Sequence, residues 1–284
     1  MHIVNIIFIG IFTVASNYCL GTPLDDYVNT PDPVFSWTRL HTNSLSTHTF
    51  YILNMTSQRW FDDSFSSQAI WWHYLTITVP KAIRRPKTAF LLIAHGENTN
   101  PDPLKKSRRE DDLIAWTWKK FLETNGSDPT VLLRFPMTKA VVRAMDTVQQ
   151  FIQQQNLVAP EEFVIGGFSK RGWTTWTTAA VDNKRVVAAI PMVMDLVNLM
   201  RNMMSHYRNL GGWTFAFKDY YDLNITRYTT SPALAKLASM VDPYAYFDRY
   251  SKMKILQIQG AGDEFFLPDS EVKFEFIVHH LDNT

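Results

Sequence analysis

A single cysteine, Cys19, stands among 284 residues. It falls inside an N-terminal stretch that reads as a removable leader, so the mature chain is expected to carry no thiol. That excludes a cysteine nucleophile, a cysteine-ligated metal and a disulfide framework. Charge shows as little bias: 28 Lys and Arg against 27 Asp and Glu leave a formal charge of +1. Nucleic acid and anionic membranes therefore have no electrostatic claim on the chain as partners. The sequence has no His-x-x-x-His or comparable pairing, hence no support for a metal site, and nothing in it calls for a cofactor. Low-complexity tracts, heptads and internal repeats are also missing, which sets aside disordered, coiled-coil and solenoid classes.

What is present is apolar and aromatic. Hydrophobic residues make up 46% of the chain and aromatics 14%, enough to bury the core of one large α/β domain without disulfides. The apolar run from Ile3 to Ala15 is too short to span a bilayer and fits the central region of a secretory signal, with small residues near Gly21 for cleavage. A buried N-terminal strand or a membrane anchor is the competing reading, since the run is preceded by neither Lys nor Arg. Three sequons, at Asn54, Asn125 and Asn224, agree with export and glycosylation. The expectation is a secreted protein with a signal over residues 1–21 and no membrane span once that is removed. Residues 22–70 then form an N-terminal extension, and residues 71–284 the main domain.

Along that chain, a strand is expected around Thr49–Asn54, and "WWHYLTITVP" alternates as a strand ending at Pro80. "TAFLLIAHGEN" reads as a strand buried on both faces of a sheet. "EDDLIAWTWKKFLE" has helical spacing, acids first and lysines last. "PMTKAVVRAMDTVQQFIQQQ" reads as a longer helix opened by Pro136 and Thr138. "EFVIGGFS" is a buried strand, "KRGWTTWTTAAV" the helix after it, "RVVAAIPMVMD" a further strand, and "KILQIQGAGDEFF" contains the last clear one. Alternation of this kind predicts an α/β fold with a mostly parallel sheet and right-handed crossovers.

The chemistry concentrates at "VIGGFSKRGW". A nucleophile elbow needs a serine on a strained strand-to-helix turn with small neighbours, commonly Gly-x-Ser-x-Gly. Gly167 stands two before Ser169, but Arg171 stands two after it and the glycine arrives one later, at Gly172. Spacing alone leaves two readings open, a nucleophile or an ordinary serine in a turn. Other residues fall where a serine hydrolase would use them. Asp263 follows the last strand and would orient a histidine, with Asp195 as a weaker alternative acid. The amides of Lys170 and of Gly96 or Glu97 would be oxyanion donors.

At these residues the chain resembles the PhoPQ-activated pathogenicity-related proteins. The segments "GGFSKRGWTTW", "PMTKAVVRAMD", "REDDLIAWTW", "GGWTFAFKDYY", "VDPYAYFDR" and "GDEFFLPD" carry the likeness, which extends from about Thr22 to Ser270. The resemblance implies an α/β-hydrolase fold, a three-layer sandwich in which Ser-Lys-Arg-Gly forms the elbow. It implies Ser169 as nucleophile and Asp263 as acid. The family also includes a secreted growth-repressing signal.

Two departures from the family pattern stand out. The stretch from Gly96 to Glu110 is shorter, so a sheet strand is expected to be missing or rerouted. After Ser270 the family continues with a helix, a strand and a histidine, whereas here the chain reads "EVKFEFIVHHLDNT". His279 and His280 are the candidate bases, but only about eight residues separate Asp263 from "VKFEFIV", too few for a parallel crossover. Of the others, His95 reads as a loop residue, and His73 and His206 as packed ones. The sheet is thus expected to be incomplete toward its C-terminal side, and a shortened version of a longer protein is one reading. The remaining readings are a serine hydrolase acting on a small-molecule or peptide substrate, and a non-catalytic secreted protein that binds a cell-surface receptor.

Overall fold

The computed structural model describes residues 21–66, 68–95, 110–195 and 197–266. The leader, Cys19, Gly96, Glu97, His279 and His280 lie outside them. Helix α1 (Pro23–Asn29) opens on a capping box in which the Thr22 hydroxyl accepts from the Asp25 amide and the Asp25 carboxylate accepts from the Thr22 amide. Strands β1 (Ser36–Ser44), β2 (His48–Arg59) and β3 (Ile70–Pro80) then form an antiparallel sheet in the order β1-β2-β3. The strand expected at Thr49–Asn54 lies within β2.

Strand β4 (Thr88–Ile93), helix α2 (Glu110–Glu123), helix α3 (Arg134–Gln154), strand β5 (Glu162–Phe168), helix α4 (Lys170–Val181) and strand β6 (Val186–Met192) give the expected alternation. Helices α5 (Leu199–Leu210), α6 (Lys218–Asp222) and α7 (Pro232–Val241) precede β7 (Lys254–Ile255). The second sheet is parallel throughout, in the order β4-β5-β6-β7. Among the described residues no helix is long and apolar enough to cross a membrane.

Several elements depart from expectation for identifiable reasons. Helix α3 begins at Arg134 rather than Pro136. A proline in the first turn forfeits only an amide that has no intrahelical partner, so it does not mark the first residue. Strand β6 stops at Met192, where Val193 turns to φ 43°. Strand β7 is only two residues long, though a further bridge joins Met192 to Ile258.

Strand β4 is not buried on both faces, as its apolar run suggested: Phe90 is 61% and Leu92 47% exposed. Among the described residues it pairs only with β5, which makes it an edge. The parallel register puts Phe90, Leu92, Phe168, Leu256 and Ile258 on one face, and all five are exposed. The opposite face carries Phe163, Ile165 and Ala189, all fully buried on the parallel sheet that α4 packs against. Helix α3 serves the antiparallel sheet, because Trp37 and Tyr51 both meet the Phe151 ring edge-on, at 5.7 and 4.8 Å. Helix α3 thus links α4 to the antiparallel sheet, and one core runs through both sheets.

Candidate active site

Ser169 sits between the last residue of β5 and the first of α4 with φ 52° and ψ −123°. A residue with a Cβ avoids positive φ, and holding it there costs on the order of 1–3 kcal/mol. The neighbouring bonds oppose that cost. The Ser169 amide donates to the Met192 carbonyl at 2.9 Å, and the Ser169 carbonyl accepts from the Trp173 amide at 3.0 Å. A planar peptide fixes the Lys170 N–H opposite that carbonyl, away from the body of α4. The Ser169 side chain is half-buried.

The two flanking glycines answer steric demands. A Cβ on Gly167 would lie 2.7 Å from the Arg171 carbonyl oxygen, and one on Gly172 would lie 2.8 Å from Met194 Cβ and 2.9 Å from the Met192 carbonyl oxygen. Gly172 is therefore where α4 packs against the end of β6. Its place three residues after the serine performs the packing that the second glycine of the common motif performs at two. Arg171 Nη1 lies 3.3 Å from His95 Nε2, at the end of β4.

Asp263 follows β7, half-buried, in a turn closed by its amide on the Gly260 carbonyl. Its Oδ1 accepts from the amides of Phe265 and Phe266 at 2.8 and 3.1 Å. Asp195 is 2% exposed beyond the end of β6, and its carbonyl accepts from Asn202. His206 is buried, 2.7 Å from the Thr214 hydroxyl and stacked edge-on with Phe217, and burial lowers its pKa. His73 lies 3.0 Å from the fully buried Ser57 hydroxyl, and burial pulls its pKa to about 4. Of the sequon asparagines, Asn125 and Asn224 are exposed in turns with φ 51° and 60°. Asn54 lies in the central strand β2, with a buried Oδ1.

The group behind the elbow is one that sequence reasoning missed. Lys170 Nζ pairs with Asp111 at 2.6 Å, and Asp111 also accepts from the Tyr220 hydroxyl at 3.3 Å. Asp111 and Tyr220 line a cavity of about 50 Å³ walled by Trp118, Met203, Phe217 and Phe265. Arg134 is 3% exposed and donates through Nη1 to the Lys170 carbonyl and the Thr174 hydroxyl. One signal was available: an arginine inside the apolar run "VLLRFPM" is costly to bury unless something holds it.

The family model described as PhoPQ-activated pathogenicity-related protein matches residues 24–107 and 102–276. The chain belongs to that family. The autocrine proliferation repressor protein A of Dictyostelium discoideum, to which the family member described here is similar, is 40% identical over 88% of this chain and 56% of its own length. The chain thus spans 56% of that relative. Among solved structures, acetyl xylan esterase 1 from Thermoanaerobacterium sp. JW/SL YS485 superposes with a TM-score of 0.50 at 13% identity, covering 92% of this chain and 83% of the esterase. The acetyl xylan esterase from Paenibacillus sp. R4 gives a TM-score of 0.45 at 14% identity, over 90% and 91% of the two chains. At such identity the likeness is one of fold, and the fold is that of the α/β-hydrolases.

Proposed function

We propose that the chain is a secreted serine hydrolase of an ester or peptide-like bond, with Ser169 as its nucleophile. The observation that carries this reading is the Ser169 backbone at φ 52°, between a buried strand and the first turn of a helix. Strain of this kind collects at functional turns, where it lifts a side chain clear of the sheet. In the reaction, Ser169 Oγ adds to the acyl carbon while its proton passes to a base. The Lys170 amide, with that of Gly96, stabilises the oxyanion, and collapse expels the leaving group with that proton. Asp263 would orient the base, for which His279 and His280 stand as candidates. Exposure of Asn125 and Asn224 supports glycosylation at those two sequons.

A second reading has its own observation. Asp263 Oδ1 already accepts two amides of its own turn, so the carboxylate serves as a turn-former whether or not it meets a histidine. That favours a non-catalytic, growth-repressing signal on a hydrolase scaffold, in line with the name of the 40% identical relative. Loss of a triad histidine costs on the order of a millionfold in turnover, so the two readings differ sharply in activity.

A fluorophosphonate probe separates them. Covalent labelling of the purified full chain that disappears in Ser169→Ala is the expected result. A folded wild type that takes up no label overturns the nucleophile and leaves the signalling reading.

A further inference from the structure

Arg134 is the first residue of α3, and its guanidinium lies against the first turn of α4. Nη1 donates to the Lys170 carbonyl at 2.8 Å and to the Thr174 hydroxyl at 2.9 Å, and lies 3.6 Å from Met137 Sδ. The Thr174 hydroxyl in turn donates to the same carbonyl at 3.0 Å. The guanidinium carbon sits 4.2 Å from the centroid of the Trp173 ring, and Trp173 is the residue whose amide holds the Ser169 carbonyl. Every one of these contacts except Met137 belongs to the turn that follows the serine.

The cost of this placement is high. Among the described residues, Arg134 Nε and Nη2 are buried with no hydrogen-bond partner, a condition that asks for an explanation in a native fold. Burial pulls the guanidinium down to about 9, against the opposing pull of Tyr220 and Asp111, so it stays charged at neutral pH. A methionine or leucine would fill the same space with no unpaired donor. A cation beside the positive end of α4 also works against the helix dipole. Stability therefore does not account for Arg134.

The elbow does. Three peptide planes meet at Ser169 and Lys170. The first is pinned by the Ser169 amide on Met192, and the second by the Ser169 carbonyl on Trp173. The third, carrying the Lys170 carbonyl, is pinned by Arg134. Releasing the third loosens the first turn of α4, on which the second plane depends, and that second plane carries the Lys170 N–H aimed at an oxyanion. We propose that Arg134 is a positioning residue for the Ser169 elbow, fixing the Lys170 peptide and holding a buried positive charge behind the oxyanion position. The inference rests on Ser169 being the nucleophile, and its test is built to tell the two apart.

The test measures fluorophosphonate labelling of the full chain against probe concentration, together with hydrogen exchange of peptides covering residues 168–175. Arg134→Met is expected to lower the saturating labelling rate roughly 10- to 100-fold, the scale of a small misplacement of a reacting group, with the half-saturating concentration unchanged. Arg134→Lys, which keeps the charge and loses the fork, falls between Arg134→Met and wild type. Thr177→Val is the control for plain destabilisation, since it removes the buried 2.7 Å bond to Thr138 between the same two helices and should label at the wild-type rate. Equal labelling of folded Arg134→Met and wild type overturns the proposal, as does an equal slowing in Thr177→Val. Should Arg134→Met fail to fold, wild-type labelling by Arg134→Lys overturns it. If the wild type takes up no label, the nucleophile reading fails by itself. The exchange data then decide the positioning claim, which requires faster exchange over 168–175 in the Arg134 variants than in Thr177→Val.

Discussion

Ser169 keeps its positive φ only because its neighbours leave it no other arrangement, and Gly172 is the neighbour with the least room. The Met194 Cβ and Met192 carbonyl that an added methyl would strike, at 2.8 and 2.9 Å, belong to the end of β6. A backbone oxygen cannot step aside cheaply, so Gly172→Ala should cost about 1–3 kcal/mol of overpacking. It should also push α4 off β6 and slow any labelling of Ser169. Gly212→Ala is the matched control, with nothing within 4 Å of the new methyl, and should be neutral to mildly stabilising. Thermal melts of the two variants measure the difference, and a Gly172→Ala protein as stable as wild type would show that the packing is looser than these distances. The serine was legible at this scale and the arginine was not. A glycine before a serine announces a turn by itself, whereas Arg134 gains its meaning from Lys170 and Thr174, 36 and 40 residues away.

Elements show the same division between local and distant causes. Helices α2 and α4 match their sequence boundaries because side-chain periodicity is local. The burial of β4 could not be read that way. An apolar run states that a strand can be covered on both faces, and only its neighbours decide whether it is. The join between β2 and β3 yields a prediction in pH. At the irregularity between Thr56 and Gln58, Ser57 on β2 reaches across to His73 on β3. Burial holds His73 at about 4, below the ordinary value near 6.5. A base with a depressed folded pKa stays neutral in the fold while the unfolded chain takes up a proton. The fold is therefore unaffected above about pH 6.5 and loses stability as pH falls toward 4, by up to about 3 kcal/mol in all. Urea midpoints between pH 7 and 4 should decline in wild type and flatten in His73→Gln. Parallel declines in both would assign the acid sensitivity to other groups.

For the molecule as a whole, the question is whether residues 22–70 are an appendage or part of the body. Composition marks that stretch off, since it is polar and proline-containing where the later chain is apolar, and an extension is the natural reading. Packing joins it to the rest. Leu24, Val28, Leu53, Met55 and Trp60 are each no more than 2% exposed. The Gln58 amide donates to the Pro136 carbonyl and the Trp60 indole to the Thr130 carbonyl. Arg249, far along the chain, grips Asp25 through both terminal nitrogens at 2.7 Å. Burying five large apolar side chains is worth about 8–15 kcal/mol, as much as the roughly 5–15 kcal/mol by which a domain exceeds its unfolded state. Deletion would also bare Phe151, which Trp37 and Tyr51 now cover, and leave β3 without its described partner. A chain of residues 71–284 should accordingly show no cooperative thermal transition and should bind hydrophobic dyes, while the chain carrying residues 22–70 melts in a single step. A sharp melt of the shorter chain would make residues 71–284 a domain in their own right. The antiparallel sheet would then be an addition to the hydrolase fold and not one of its walls.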